Sequence, residues 1–171
     1  MCADPFGVAT FIGSPTTAGT YKFTLTAYEF ANGTSNQNNS GNTTLAYPEL
    51  VLEKKKADDP LFVRDGYALT LVARGSPGLA SATDFLQARA DAKWIRGIGK
   101  RQRIILRGSL GATSVGDFDK LPPELRFFAG GDRSVRGYAF QTIGPANANG
   151  LIIGGRDLAV GSAEYEYYFT R

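Results

Sequence analysis

Asp84–Ile95 reads DFLQARADAKWI. Leu86, Ala88, Ala90, Ala92 and Trp94 fall on one side of a period-two alternation, and Gln87, Arg89, Asp91 and Lys93 on the other. Successive strand residues point to opposite faces, so the segment is a strand with one apolar and one charged face. The charged face carries both signs.

The same pattern extends outward in both directions, while helical periodicity is weak throughout. Tyr67–Arg74 puts Tyr67, Leu69, Leu71 and Ala73 on one face. Gln102–Ala112 sets Ile104, Leu106 and Leu110 against Arg103, Arg107 and Ser109. Leu158–Phe169 sets Ala159, Gly161, Ala163, Tyr165, Tyr167 and Phe169 against Ser162, Glu164 and Glu166. Thr20–Phe30 sets Tyr21, Phe23, Leu25 and Ala27 against Lys22, Thr24 and Thr26. Thr43–Lys54 is the weakest of these strands, because Pro48 lacks a ladder donor. Six strands are predicted in all. Residues 1–19 form an N-terminal segment with no readable pattern, and residues 20–171 form one β domain.

The connections alternate in length. Gly97–Lys100 is a tight turn, and ADDPLFVRDG (57–66) is a turn marked by Asp-Pro and Asp-Gly. NGTSNQNNSGN (32–42) and SPGLASA (76–82) are loops, and a long excursion runs from Thr113 to Asp157. Asn32, Asn38 and Asn42 each head an Asn-x-Ser/Thr pattern within the first of these polar loops, where no glycan is expected.

Composition excludes several classes of function. Histidine is absent, which removes the commonest general base and metal ligand. Cys2 is the single cysteine, so no intramolecular disulfide forms and no cysteine pair holds a metal. The 19 Lys and Arg exceed the 16 Asp and Glu by only three, and they are scattered, unlike the concentrated patch of a nucleic-acid binder. Lys54-Lys55-Lys56 precedes Asp58-Asp59, which reads as a solvated Asp-Asp-Pro turn and not a metal site. Glu164 and Glu166 lack the sugar-binding context of a catalytic pair. No enzyme activity, cofactor or metal is expected. No run approaches a membrane helix, and no signal peptide is visible at Met1.

Strands of about ten residues match the length that crosses a bilayer at a tilt. Tyr67, Trp94, Tyr165, Tyr167 and Phe169 all fall on apolar faces near one end of their strands, as in the aromatic girdle of a membrane barrel. The predicted fold is therefore all-β, an antiparallel up-and-down transmembrane β-barrel, here a partial barrel of about six strands. The competing fold is a soluble β-sandwich binding module, with one packed and one wet face.

The long excursion contains FFAGGDRSVRGY (127–138). As a phosphate loop it lacks the Lys-Ser/Thr ending and the following helix. As a stacking platform for single-stranded nucleic acid it offers only Arg133, Arg136 and a few aromatics. Leu121–Tyr138, LPPELRFFAGGDRSVRGY, instead resembles the long sixth extracellular loop of the bacterial outer-membrane assembly barrels. GGRDLAVGSAEYEYYF, ADDPLFVRDGY and FLQARADAKWI are similar to that family too, so the resemblance covers about residues 57–171. Among these barrels the chain is most similar to the autotransporter assembly factors, the barrel subunits of the translocation and assembly module.

That resemblance implies a sixteen-stranded barrel preceded by periplasmic repeats, of which this chain carries the middle strands. Six strands do not close a barrel, so a part of a longer chain is expected. It also implies that loop 113–157 folds into the lumen. There its motif, Gly130, Gly131, Asp132, Arg133, Val135, Arg136, Gly137 and Tyr138, would set Arg136 against acidic residues of the wall. An arginine in a lumen needs a carboxylate partner. Glu164 and Glu166 lie on the wet face of the next strand, and acids on later strands are further candidates. The implied location is the bacterial outer membrane. The implied partners are outer-membrane lipid, unfolded β-barrel or autotransporter clients, and an inner-membrane-anchored periplasmic subunit, with no nucleic acid. The implied function is insertion or secretion of those clients. A passive pore or secretion translocator of the same superfamily is the alternative within the family.

Overall fold

The structure, a computed structural model, describes residues 8–13, 20–30, 43–59, 61–77, 83–132 and 134–169. The Asn-x-Ser/Thr loop with Asn32, Asn38 and Asn42 lies outside them, as do most of SPGLASA and Arg133.

Seven strands form one antiparallel sheet in chain order: β1 (Val8–Gly13), β2 (Thr20–Phe30), β3 (Thr43–Ala57), β4 (Gly66–Ser76), β5 (Phe85–Ile98), β6 (Gln102–Val115) and β7 (Asp157–Tyr167). Six were expected. The additional strand, β1, pairs with β2 from Val8↔Thr26 to Gly13↔Tyr21. VATFIG is short and has no charged position to mark a wet face, so period two leaves no trace in it. β3 is a strand despite Pro48. Its ladder with β4 reaches only to Glu49↔Arg74, so Pro48 is paired on the β2 flank alone.

Register fixes the two faces. Tyr67↔Trp94, Trp94↔Leu106 and Ile104↔Tyr165 align the outer residues of β4 to β7. Leu50, Leu52, Leu69, Leu71, Leu86, Leu106 and Leu110 stand exposed on this face, with Tyr67, Trp94, Tyr165, Tyr167 and Phe169 toward the short-turn end. A sandwich would cover such a face with a second sheet ~10 Å away. The described residues form a single sheet, and its apolar face is bare. This rules out the sandwich and leaves the partial barrel wall. At 14–15 residues, β3, β5 and β6 exceed the ~9–11 that cross a bilayer and project beyond it.

The opposite face is lumenal and carries the structure's core. Tyr47 and Phe85 meet edge to face with ring centroids 5.3 Å apart. Leu121 and Leu125 of the long loop complete that cluster, with Val115 and Phe118 packed against it. The core thus sits where the β6–β7 connection lands on the wall.

Candidate functional site

The site is the β6–β7 loop, Gly116 to Arg156, and the wall beneath it. Loop backbone pairs with itself: Phe127↔Gly155, Ala129↔Ile143 and Ala146↔Ile152 are isolated bridges. A 3-10 turn at Pro123–Leu125 delivers Leu125 to the core.

Arg126 holds the base of this loop. Its residue is only 8% exposed, and no carboxylate pairs with it among the described residues. Its guanidinium instead donates to four carbonyls: Leu121 O at 2.8 Å, Ile153 O and Phe118 O at 3.1 Å, and Asp119 O at 3.3 Å. Phe118 lies beneath it, 4.5 Å from guanidinium carbon to ring centroid. Burial lowers its pKa, while the charges of Asp119 and Glu124 oppose that shift. A planar fork of donors suits several carbonyls at once, so arginine fits this cradle where lysine would not.

The wall receives the loop through Gln87, which is 1% exposed. Its Nε2 donates to Thr113 Oγ1 and to Leu125 O, each at 2.6 Å. Its Oε1 accepts from Arg74 Nε at 2.6 Å, and Arg74 Nη1 pairs with Glu49 Oε2 at 3.3 Å. One polar chain thus runs from β3 across β4, β5 and β6 to the loop backbone. Beside it, Gly111 leaves space that the ring of Phe127 fills.

The tip carries the motif. Gly130, Gly131 and Gly137 adopt φ of 109°, 95° and 92°, in the region that favours glycine. A Cβ on Gly130 would stand 2.3 Å from Ala139 O. Ser134 Oγ accepts from Gly130 N at 2.8 Å, and Tyr138 O accepts from Gly131 N at 3.0 Å. Asp132 and Tyr138 are exposed, and Val135 is half-buried. Arg136 Nη2 reaches Glu164 Oε1 at 3.1 Å. The same oxygen also accepts from Arg107 Nη1, so two arginines from different elements share one carboxylate. Glu166, the other candidate partner, is not brought to Arg136. Its Oε2 accepts from Arg103 Nε at 2.6 Å and from Tyr168 OH at 2.5 Å.

At the opposite end the β3–β4 turn lies against the lumenal face. Asp59 Oδ1 accepts from Leu61 N and Phe62 N, and Asp58 Oδ1 from Arg64 N. Desolvation raises the Asp58 carboxyl, but the turn's backbone hydrogen bonds together outweigh it and hold the group below its ordinary value. The turn then reaches past β5. Arg103 Nη1 donates to Val63 O at 2.5 Å and stacks on Phe62 at 4.7 Å, and Arg64 bonds Gly99 O. Phe62 also meets Tyr168 edge to face at 5.2 Å. These contacts account for a turn longer than a two-residue hairpin.

Arg126, Gln87 and Gly111 are the residues that sequence reasoning missed. An arginine set directly between Leu125 and Phe127 in LPPELRFF was the available signal for Arg126. Nothing marked Gln87, which sits on the wet face of β5 and is buried only because the loop covers it.

The Omp85 superfamily domain matches residues 7–170. The chain belongs to the Omp85 superfamily. Omp85 proteins reside in the bacterial outer membrane, which agrees with the bare apolar face and its aromatic end. The work of the superfamily is insertion or secretion of outer-membrane proteins, generally with unfolded outer-membrane proteins as clients.

Proposed function

We propose that this chain is the middle of an autotransporter assembly barrel, and that its loop braces the wall and gates the lumen while clients are inserted or secreted. The work involves no bond-breaking chemistry and no cofactor. Client strands are taken up by β-augmentation at a sheet edge. An inner-membrane-anchored periplasmic subunit is the expected partner.

The observation that carries this reading is the two-tier attachment of the loop. Its base is buried around Arg126 and Gln87, whereas Arg136 at its tip is 62% exposed and shares Glu164 with Arg107. An exposed ion pair contributes only ~0.2–1 kcal/mol. Glu164 also keeps Arg107 when Arg136 leaves. The tip can therefore lift without stranding a charge, while the base remains on the wall, and that combination suits a gate.

The test uses bacteria whose native copy is replaced by the full-length protein carrying Arg136→Glu. Delivery of an autotransporter passenger is read by protease accessibility on whole cells. Delivery should fall sharply relative to wild type at equal protein level. Unchanged delivery would refute the gate, and a loss confined to barrel clients other than autotransporters would refute the client assignment.

A further inference from the structure

The outer face changes character along β3. Leu50 and Leu52 are followed, two residues at a time, by Lys54 and Lys56. Register places Lys54 opposite Leu69 and Lys56 opposite Tyr67, and Tyr67 opposite Trp94. Both lysines therefore stand on the membrane side beside the aromatic end, and both are exposed. Arg96, two residues beyond Trp94 on the same face, joins them and holds Asp65 at 3.3 Å.

The lumenal arginines of the wall are neutralised. Arg74, Arg89, Arg103 and Arg107 each hold a carboxylate, as does Lys55 through Glu53 at 3.1 Å. Lys54 and Lys56 have no carboxylate partner among the described residues. Glu53, the nearest acid in sequence to Lys54, holds Lys55 on the opposite face, and Asp58 and Asp59 are spent on the backbone of their own turn. Two free ammonium groups thus stand at an apolar–polar boundary. A lysine there lays its stem along apolar surface and carries its charge to the head-group layer.

We propose that Lys54 and Lys56, flanked by Tyr67 and Trp94, form a binding surface for the head groups of anionic phospholipids. Short turns mark the periplasmic side of such barrels, and the Asp58–Asp65 turn closes β3 onto β4 there, so the lipid is that of the periplasmic leaflet. Attraction of a basic side chain to an anionic surface gives about a fivefold gain per residue. The proposal rests on the membrane placement of the outer face and is independent of the gating loop.

The test places the full-length protein in nanodiscs of phosphatidylglycerol and phosphatidylcholine with identical acyl chains, and counts the lipids retained by native mass spectrometry. Wild type should retain phosphatidylglycerol preferentially. Lys54→Gln with Lys56→Gln should lower that preference about fivefold for each lysine removed. Lys93→Gln, which removes the same charge from the lumenal face, should leave it unchanged. Equal retention by wild type, an unaltered preference in the double variant, or an equal fall in Lys93→Gln would each overturn the proposal. Failure to retain either lipid would overturn the membrane placement along with it.

Discussion

The ring of Phe127 occupies the space that a side chain on Gly111 would fill: a Cβ built there stands 2.4 Å from the ring. The loop is thus keyed to the wall by a missing methyl group. Gly111→Ala should destabilise the protein by ~1–3 kcal/mol through overpacking. Phe127→Ala should cost ~3–5 kcal/mol as a buried aromatic truncation. Because the clash disappears with the ring, the two changes together should cost clearly less than their sum. Urea unfolding in a bilayer mimic measures all three, and strict additivity would show that the residues do not meet.

Arg126→Lys should loosen the loop base although the charge is kept. One ammonium cannot reach four carbonyls spread from Phe118 to Ile153, and each buried acceptor left unpaired costs about 1–3 kcal/mol. The expected readout is faster amide exchange at Phe127, whose N–H bonds Gly155 O at 3.0 Å. Unchanged protection would mean that charge alone holds the base.

How much of this was legible in the sequence follows from where each contact originates. The alternation of Leu86 to Trp94 and the aromatic end were readable because period two is a property of the strand itself. The carbonyl partners of Arg126 were not, since backbone acceptors have no sequence signature. Gln87 reads as wet because strand period reports the face and not what later covers it. Glu164 and Glu166 are equivalent in period two, and only register distinguishes them: Glu166 stands opposite Arg103, whereas Glu164 stands opposite Ile105 and is left for Arg107 and Arg136.

Phe62→Ala should free the β3–β4 turn from the wall. It removes the stack with Arg103 and the edge contact with Tyr168, together worth about 1–2 kcal/mol. Amide exchange should accelerate at Leu61 to Arg64 while the β4–β5 ladder stays protected. Loss of protection in both would show that the turn is part of the wall's fold and not a strap laid on it.

Acid should loosen the loop where it leaves β6. Asp117 is held below its ordinary value first by Lys120, whose Nζ lies 3.2 Å away, and it accepts from Asp119 N. A lowered folded pKa means that the contribution is complete above the ordinary carboxylate value and is lost as pH falls through the lowered one. Phe118 and Asp119 supply carbonyls to Arg126, so exchange at Asp119 should rise in that acidic window. Asp117→Asn should abolish the pH dependence, and an unchanged profile in that variant would exclude Asp117 as its source.

The shared carboxylate permits the most direct test of how the loop tip is held. Glu164→Arg alone would strand Arg107, so charge reversal must include all three residues. Arg107→Glu with Glu164→Arg keeps the wall pair and turns it against Arg136, whereas adding Arg136→Glu restores the full triad with signs inverted. Amide exchange at Gly131 and Tyr138 should be slow in wild type, fast in Arg136→Glu and in the wall double variant, and slow again in the triple. Equal exchange in all four proteins, or a triple variant no better protected than Arg136→Glu, would contradict the attachment of the tip through Glu164.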